Sequence, residues 1–148
     1  MAKYCAFGGF IRNTIRDMNI LVVEDQDAIR RMIEALVSAR GHKVVAVANG
    51  AKAVEMAIQK TPDVVLLDLH LPGQYDGFDV CKKLRATAST KDVPVVIISA
   101  KDDAATRAEA EKIGATAYYG KPFSPTALLK EIEKIARAAK QKVESPSG

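Results

Sequence analysis

Five short apolar runs, separated by segments of helical character, constrain the fold of this chain more than any other feature. Val and Ile dominate most of the runs, which cover residues 20–23, 44–47, 64–67, 95–98 and, more weakly, 115–119. Most positions in them are apolar, whereas a half-exposed strand would alternate apolar and polar residues. Such runs are typical of strands in a parallel sheet with helices on both faces.

The segments between these runs carry apolar residues at helical spacing. A helix is predicted over 27–40, followed by Gly41, which can adopt the left-handed conformation of a helix end. Further helices are predicted over 51–59, around 78–84 with Cys81 in the core, from 103 to about 114, and from 125 to 139 after a Ser124 cap. Strict alternation of strand and helix predicts an α/β domain with a doubly wound five-stranded parallel sheet.

The fourth helix is predicted to be the most weakly anchored element. Asp102 or Asp103 can cap its start. Its inward-facing candidates are nearly all small, namely Ala104, Ala105, Ala108 and Ala110, with Ile113 the only large one. Little apolar area would therefore hold this helix against the sheet.

The length of 148 residues fits one domain. We expect an N-terminal extension over 1–18, the domain over 19–140 and a flexible tail over 141–148. The apolar stretch 6–11 is short, contains two glycines and is followed by Arg12 and Arg16, so it predicts neither a signal peptide nor a membrane span. We also expect no DNA-binding or enzymatic domain after the fifth helix, so that the signal leaves by protein binding.

The charge and cysteine content exclude several classes of protein. The net charge of +4 comes from basic residues spread over several predicted helices without interleaved aromatics, which disfavours a nucleic-acid groove. Cys5 and Cys81 form no Cys-x-x-Cys pair, so neither a zinc site nor a disulfide scaffold is predicted. Reduced thiols in the cytoplasm fit best.

Polar residues follow four of the apolar runs, at the places where the strands end. They are Glu24 and Asp25, Asp68, Ser99, and Lys121. Ligands of such sheets bind beyond the carboxyl ends of the strands. Three carboxylates gathered there repel one another, and a hard cation with oxygen ligands, Mg²⁺ or Mn²⁺, relieves the repulsion. Taken singly, a strand-end acid is more often a helix cap.

These residues resemble the receiver domains of two-component response regulators over nearly all of 19–139. The resemblance rests on Leu21-Val22-Val23-Glu24-Asp25, on Asp68 with Pro72 and Asp76-Gly77 beyond it, on Val96-Ile97-Ile98-Ser99-Ala100, and on Lys121-Pro122-Phe123. It implies a flavodoxin-like (βα)5 fold. It also implies a phosphoacceptor that catalyses its own phosphorylation and dephosphorylation, and not an enzyme acting on other substrates.

The resemblance assigns the site residues one by one. It implies that Asp68 is phosphorylated, that Asp25 and Asp68 ligate Mg²⁺ with the backbone carbonyl of His70, and that Glu24 acts through metal-bound water. Ser99 and Lys121 would contact the phosphoryl group. It further implies that Tyr118, more than Tyr119, is the switch aromatic and that the Lys121-Pro122 bond is cis.

The resemblance also implies partners. The phosphoryl donor would be a histidine kinase or phosphotransfer protein, and a downstream protein would bind the face built from the fourth helix, fifth strand and fifth helix. The chain would be a monomer or a phosphorylation-dependent dimer, away from the membrane. Three features depart from the family pattern, namely Glu24 in place of the commoner Asp, His70 after the acceptor, and a loop at 73–75 that is one residue longer.

Three other functions compete with this interpretation. A phosphatase of the haloacid dehalogenase type also uses a strand-end Asp with Ser, Lys and Mg²⁺, but it needs a second acid where this chain has His70. A flavodoxin-like cofactor carrier shares the fold, but no Gly-rich phosphate loop follows the first run. A receiver used as a constitutive binding module, never phosphorylated, would not need the intact acidic pocket.

Overall fold

The computed structural model describes residues 18–101 and 103–144, and within them five parallel strands form one sheet. The strands are β1 (Asn19–Val23), β2 (Lys43–Val47), β3 (Val64–Asp68), β4 (Val95–Ser99) and β5 (Ala117–Gly120). Their spatial order is β2-β1-β3-β4-β5, and each neighbouring pair is parallel. The fold class predicted from the apolar runs is confirmed.

Five helices connect and follow the strands. They are α1 (Asp27–Ala39), α2 (Gly50–Gln59), α3 (Gly77–Ala86), α4 (Ala104–Lys112) and α5 (Pro125–Glu144). Alternate residues of β1 point to opposite faces, so that Leu21 and Val23 pack with α2 and α3 while Ile20 and Val22 pack with α1 and α5. Helices thus cover both faces of the sheet, and the inner strands β3 and β4 are buried throughout, which is why they are apolar at almost every position.

Local signals in the sequence set the helix boundaries. Gly41 and Gly114 have positive φ angles of 90° and 101° and follow the C-cap residues of α1 and α4, as the helix-end pattern predicted for Gly41. Asp76 caps α3 in a reciprocal pair with Asp79, and Ser124 accepts a hydrogen bond from the Ala127 amide at the start of α5. Cys81 is fully buried, as predicted.

The predicted inward face of α4 is partly wrong. Ala104, Ala105 and Ala108 are exposed, and the residues buried against the sheet are Thr106 and Ala110. The Thr106 hydroxyl donates to the Asp103 carboxylate at 2.6 Å, so this polar residue is satisfied where it lies. Asp103 precedes α4 but makes no side-chain hydrogen bond to the helix backbone. The anchorage of α4 is therefore thinner than the alanine pattern predicted.

We expect α4 to exchange its amide hydrogens faster than α1. Residues 104–113 bury the small side chains of Thr106 and Ala110 with Ile113 packed beside them, whereas 29–37 bury Ile33 and Val37 with Ile29 and Leu36 packed beside them. Local opening costs less where less apolar area is lost. Hydrogen exchange followed by mass spectrometry on the unphosphorylated protein measures the difference, and equal protection of the two segments would contradict it.

Several expectations fall outside the described residues. These are the extension before Met18 with its apolar stretch 6–11, Cys5, the capping role of Asp102, and the end of the tail over 145–148. Met18 itself is buried, and its carbonyl accepts a hydrogen bond from the Lys43 amide at 2.9 Å. Of the described helices, none is both long enough and apolar enough to cross a membrane.

Candidate functional site

The carboxyl ends of β1, β3 and β5 bring three acids and one lysine together. Glu24 and Asp25 follow β1, Asp68 is the last residue of β3, and Lys121 follows β5. Oxygen atoms from the three carboxylates lie within 4.8 Å of one another. The parallel sheet places these strand ends at one edge, so residues up to 97 positions apart become neighbours.

Lys121 bridges two of the acids. Its ammonium Nζ lies 3.0 Å from Glu24 Oε1 and 3.2 Å from Asp68 Oδ2. Burial alone would lower the pKa of Lys121, but the hydrogen bonds and negative charges of Glu24 and Asp68 outweigh burial and raise it. Lys121 is therefore held in its charged form. The Lys121-Pro122 peptide bond is cis, as the resemblance implied.

Glu24 is the most deeply buried acid of the site, with 1% of its surface exposed. The Gln26 amide donates to Oε2 at 3.1 Å while Lys121 donates to Oε1. Burial raises the pKa of Glu24, the hydrogen bonds from Lys121 and Gln26 oppose that rise, and the charge of Asp68 adds to it. A raised pKa is the direction expected for a carboxylate that is buried beside another acid.

Asp68 is held from both sides of its carboxylate. Its Oδ1 accepts a hydrogen bond from the His70 amide at 3.0 Å, and its Oδ2 faces Lys121. The start of α3 packs directly on the end of β3, because a Cβ added to Gly77 would lie against the Asp68 carbonyl oxygen and 2.6 Å from Leu69 Cα. A glycine is thus needed where α3 approaches the backbone of the predicted acceptor.

Ser99 and Tyr118 are connected through Lys101. Ser99 is fully buried at the end of β4, and its hydroxyl accepts a hydrogen bond from the Lys101 amide at 3.0 Å. The Tyr118 hydroxyl donates to the Lys101 carbonyl, and the Arg107 guanidinium lies 4.7 Å from the centre of the Tyr118 ring. One residue therefore contacts both the hydroxyl residue and the aromatic residue that the resemblance singled out.

The acidic cluster fits a hard divalent cation. Its donors are carboxylate oxygens from Glu24, Asp25 and Asp68, the ligand type that Mg²⁺ and Mn²⁺ take in proteins. Among the described side chains of 18–101 and 103–139, no other group of three or more acidic, histidine or cysteine residues is close enough to hold a metal. The net negative charge of three acids and one lysine favours a cation at this place.

The chain combines a five-stranded doubly wound sheet with an acidic, lysine-bridged pocket at its carboxyl edge. The family model described as the response regulator receiver domain matches residues 20–133. The chain therefore belongs to the receiver domain family of two-component response regulators, whose general function is that of a phosphoacceptor switch. Membership of this family favours the receiver interpretation over a dehalogenase-type phosphatase or a cofactor carrier.

Relatives and solved structures agree with this assignment. The chain is 36% identical over 133 residues to the probable transcriptional regulator ycf27 of Cyanophora paradoxa, a match that covers 90% of this chain and 52% of that protein. The chain thus spans about half the length of this and other curated relatives with the same description. The chemotaxis protein CheY4 of Vibrio cholerae superposes with a TM-score of 0.76 at 28% identity, covering 80% of this chain and 98% of that one.

A second solved structure describes a metal in a receiver domain. The receiver domain of the sensor histidine kinase PA1611 from Pseudomonas aeruginosa has a TM-score of 0.75 at 29% identity, covering 82% of this chain and 98% of that one. It is described with a magnesium ion coordinated in its active site cleft.

Sequence reasoning missed two sets of contacts that organise the site, those of the Arg30 side chain and those of the Lys101 backbone. Arg30 of α1 donates to the carbonyls of Glu24 and Asp25, and Lys101 connects Ser99 with Tyr118 through its backbone. Neither contact has a signature in the sequence, because both depend on backbone carbonyls that every residue carries. The hint that the sequence offered for Arg30 was Asp27 three residues before it, at the spacing of a helical ion pair.

Proposed function

We propose that this chain is a phosphorylation-activated signalling switch that accepts a phosphoryl group on Asp68 from a histidine kinase or phosphotransfer protein. The observation that carries the proposal is the position of the Asp68 carboxylate, which lies at the strand edge among two other acids and is paired with Lys121. Family membership and the agreement with solved receiver domains support it.

The reaction is an in-line transfer between a nitrogen and an oxygen. An oxygen of the Asp68 carboxylate attacks the phosphorus of a donor phosphohistidine, the phosphorus–oxygen bond of an acyl phosphate forms, and the phosphorus–nitrogen bond breaks. The electron pair of the broken bond stays on the imidazole of the donor. Such transfers depend mainly on alignment and on stabilisation of charge, so the protein needs no additional nucleophile.

Lys121 and Ser99 are the groups that would receive the phosphoryl oxygens. The Lys121 ammonium already contacts Asp68 Oδ2, so it would need only a small movement away from Glu24 to contact an oxygen of a phosphoryl group carried on that carboxylate. Ser99 would donate its hydroxyl hydrogen, which the bond from the Lys101 amide leaves free because the hydroxyl oxygen is the acceptor there. Both stabilise negative charge where it develops.

The residues that would hold the metal are Asp25 and Asp68 with the backbone carbonyl of His70, and Glu24 would act through metal-bound water. Bound there, Mg²⁺ or Mn²⁺ would neutralise negative charge on the transferred group. The magnesium described in the PA1611 receiver domain supports this part of the proposal.

The signal would leave through the face formed by α4, β5 and α5. A groove of about 490 Å³ runs along α4 and β5 and is lined by Ala104, Arg107, Ala108, Glu111 and Tyr118 among others. Movement of Ser99 toward a phosphoryl group would break its contact with Lys101, which also holds Tyr118. Because α4 is thinly anchored, this face can change at low energetic cost and so alter the binding of a downstream protein. Cytoplasmic location and a monomer or phosphorylation-dependent dimer belong to the same proposal.

Removal of divalent metal is expected to prevent phosphorylation. Protein incubated with acetyl phosphate and Mg²⁺ should gain the mass of one phosphoryl group, while protein with excess EDTA should gain none, because three carboxylates would repel an incoming anionic group. Intact-protein mass spectrometry measures the labelled fraction. Restoring Mg²⁺ to the chelated sample should restore labelling, and undiminished labelling in EDTA would reject the metal requirement.

A further inference from the structure

Arg30 holds the loop that carries two acids of the proposed metal site. This side chain of α1 is only 19% exposed, and it points back over the junction between β1 and α1. Its Nη1 donates to the Glu24 carbonyl at 3.0 Å and, more weakly, to the Asp25 carbonyl at 3.4 Å, while its Nη2 lies 2.5 Å from Asp27 Oδ1. One guanidinium therefore spans the loop with three hydrogen bonds.

The two acids of this loop differ in how firmly they are held. Glu24 is fixed by its own amide on the Val47 carbonyl and by hydrogen bonds to both carboxylate oxygens. Asp25 is exposed, and with the described side chains of 18–101 and 103–139 its one hydrogen bond is the one its carbonyl accepts from Arg30. The placement of the Asp25 carboxylate thus depends on its backbone, which lies between the held residues Glu24 and Gln26 and which Arg30 contacts directly.

The start of α1 lacks the side-chain cap that would otherwise order such a junction. Gln26 occupies the cap position and its side chain makes no capping hydrogen bond. Helix entry without a cap leaves the first turn less firmly held. Arg30 supplies the missing connection, because its guanidinium links the loop carbonyls to Asp27 in the first turn of α1.

We infer that Arg30 is a positioning residue for the divalent-cation site, acting through the backbone of Glu24 and Asp25. The inference rests on the proposed function, since it assumes that these acids bind Mg²⁺. Residues that orient metal ligands from outside the ligand set commonly change metal affinity when they are replaced. Arg30 touches no proposed phosphoryl atom, so its effect is on ligand geometry.

The charge of Arg30 lowers the affinity of the site for Mg²⁺, whereas its hydrogen bonds would raise that affinity. The inference is testable because the two effects are opposite. Removing a positive charge near an acidic pocket strengthens the attraction of the pocket for a cation. Removing the hydrogen bonds frees the loop and weakens binding. If charge dominated, replacing Arg30 would tighten Mg²⁺ binding, whereas positioning predicts the reverse.

The test compares Arg30→Met with Arg31→Met in the full chain. Arg31 is the adjacent, exposed arginine, and no hydrogen bond joins it to the loop, so its replacement removes the same charge without the contacts. MgCl₂ is titrated into each protein and the dissociation constant is read from amide chemical shifts by NMR. We expect Arg30→Met to weaken Mg²⁺ binding by about tenfold, the lower end for residues of this kind, and Arg31→Met to leave it unchanged or slightly tighter.

Two further measurements separate positioning from loss of fold. Urea unfolding in EDTA shows whether Arg30→Met remains folded without metal, and Arg30→Lys keeps the charge but cannot span two carbonyls and a carboxylate with one nitrogen. Arg30→Lys should therefore also weaken binding. Binding by Arg30→Met or Arg30→Lys as tight as by Arg31→Met would overturn the inference while leaving the proposed function standing. A wild-type protein that does not bind Mg²⁺ would instead reject the proposed function, and this inference with it.

Discussion

Asp68→Asn is expected to abolish phosphorylation of the protein by acetyl phosphate. The amide keeps the shape of the side chain and can still accept the hydrogen bond from the His70 amide, which reaches Oδ1 at 3.0 Å in the wild type. It cannot act as the anionic nucleophile, and it removes one of the three carboxylates that gather the cation. Intact-protein mass spectrometry after incubation with acetyl phosphate and Mg²⁺ should show no labelled species.

The control for this variant is Asp92→Asn. Asp92 is exposed on the loop before β4, where its replacement removes the same charge without touching the acidic cluster. Its labelling should equal that of the wild type. If Asp68→Asn were labelled as fully as Asp92→Asn, another residue would be the acceptor, and the assignment of Asp68 would be wrong.

Lys121→Met is expected to slow phosphorylation by about 100- to 1000-fold, the loss typical of removing one preorganised donor that stabilises developing charge. Lys121 is the cationic side chain that contacts both Glu24 and Asp68. Methionine retains an unbranched apolar side chain and places no new charge in the pocket. The acceptor itself remains, so labelling should persist at a reduced rate, which distinguishes this variant from Asp68→Asn.

Lys112→Met serves as the matched control. Lys112 is exposed in the last turn of α4, so its replacement removes an equal charge at a place away from the pocket. The rate is measured from the labelled fraction against time at fixed acetyl phosphate and Mg²⁺. A Lys121→Met rate within a few-fold of the Lys112→Met rate would show that the ammonium does not stabilise the transferring group.

The strands could be predicted from the sequence because an inner strand that is covered on both faces carries few polar residues. Most helices could be predicted from apolar residues at helical spacing. β3 and β4 are buried at every position, and this gave continuous apolar runs in the sequence. The inward face of α4 could not be predicted as well, because alanine is small enough to lie on either side of a helix. Thr106 is buried even though it is polar, because its hydroxyl donates a hydrogen bond to Asp103. Hydrophobicity alone predicts that the neighbouring alanines are buried instead.

Contacts between segments that are distant in the chain could not be predicted from the sequence either. Arg40 and His42, in the connection between α1 and β2, bind the buried Glu133 of α5 at 2.5 Å and 2.7 Å, across more than ninety positions of the chain. Burial would raise the pKa of Glu133, but the hydrogen bonds from Arg40 and His42 prevail and lower it. Nothing in the spacing of these three residues indicates that they meet.

The sequence by itself determined the strand ends and the kinds of side chain they carry, since hydrophobic periodicity and parallel topology oblige Glu24, Asp25, Asp68 and Lys121 to share one edge. Only the tertiary structure decided how they are held: Lys121 between two acids, Gly77 against the Asp68 carbonyl, and Arg30 over the loop of Asp25. The physical reason is that topology follows from which residues avoid water, whereas ligand geometry follows from directional hydrogen bonds to backbone atoms that are the same in every residue.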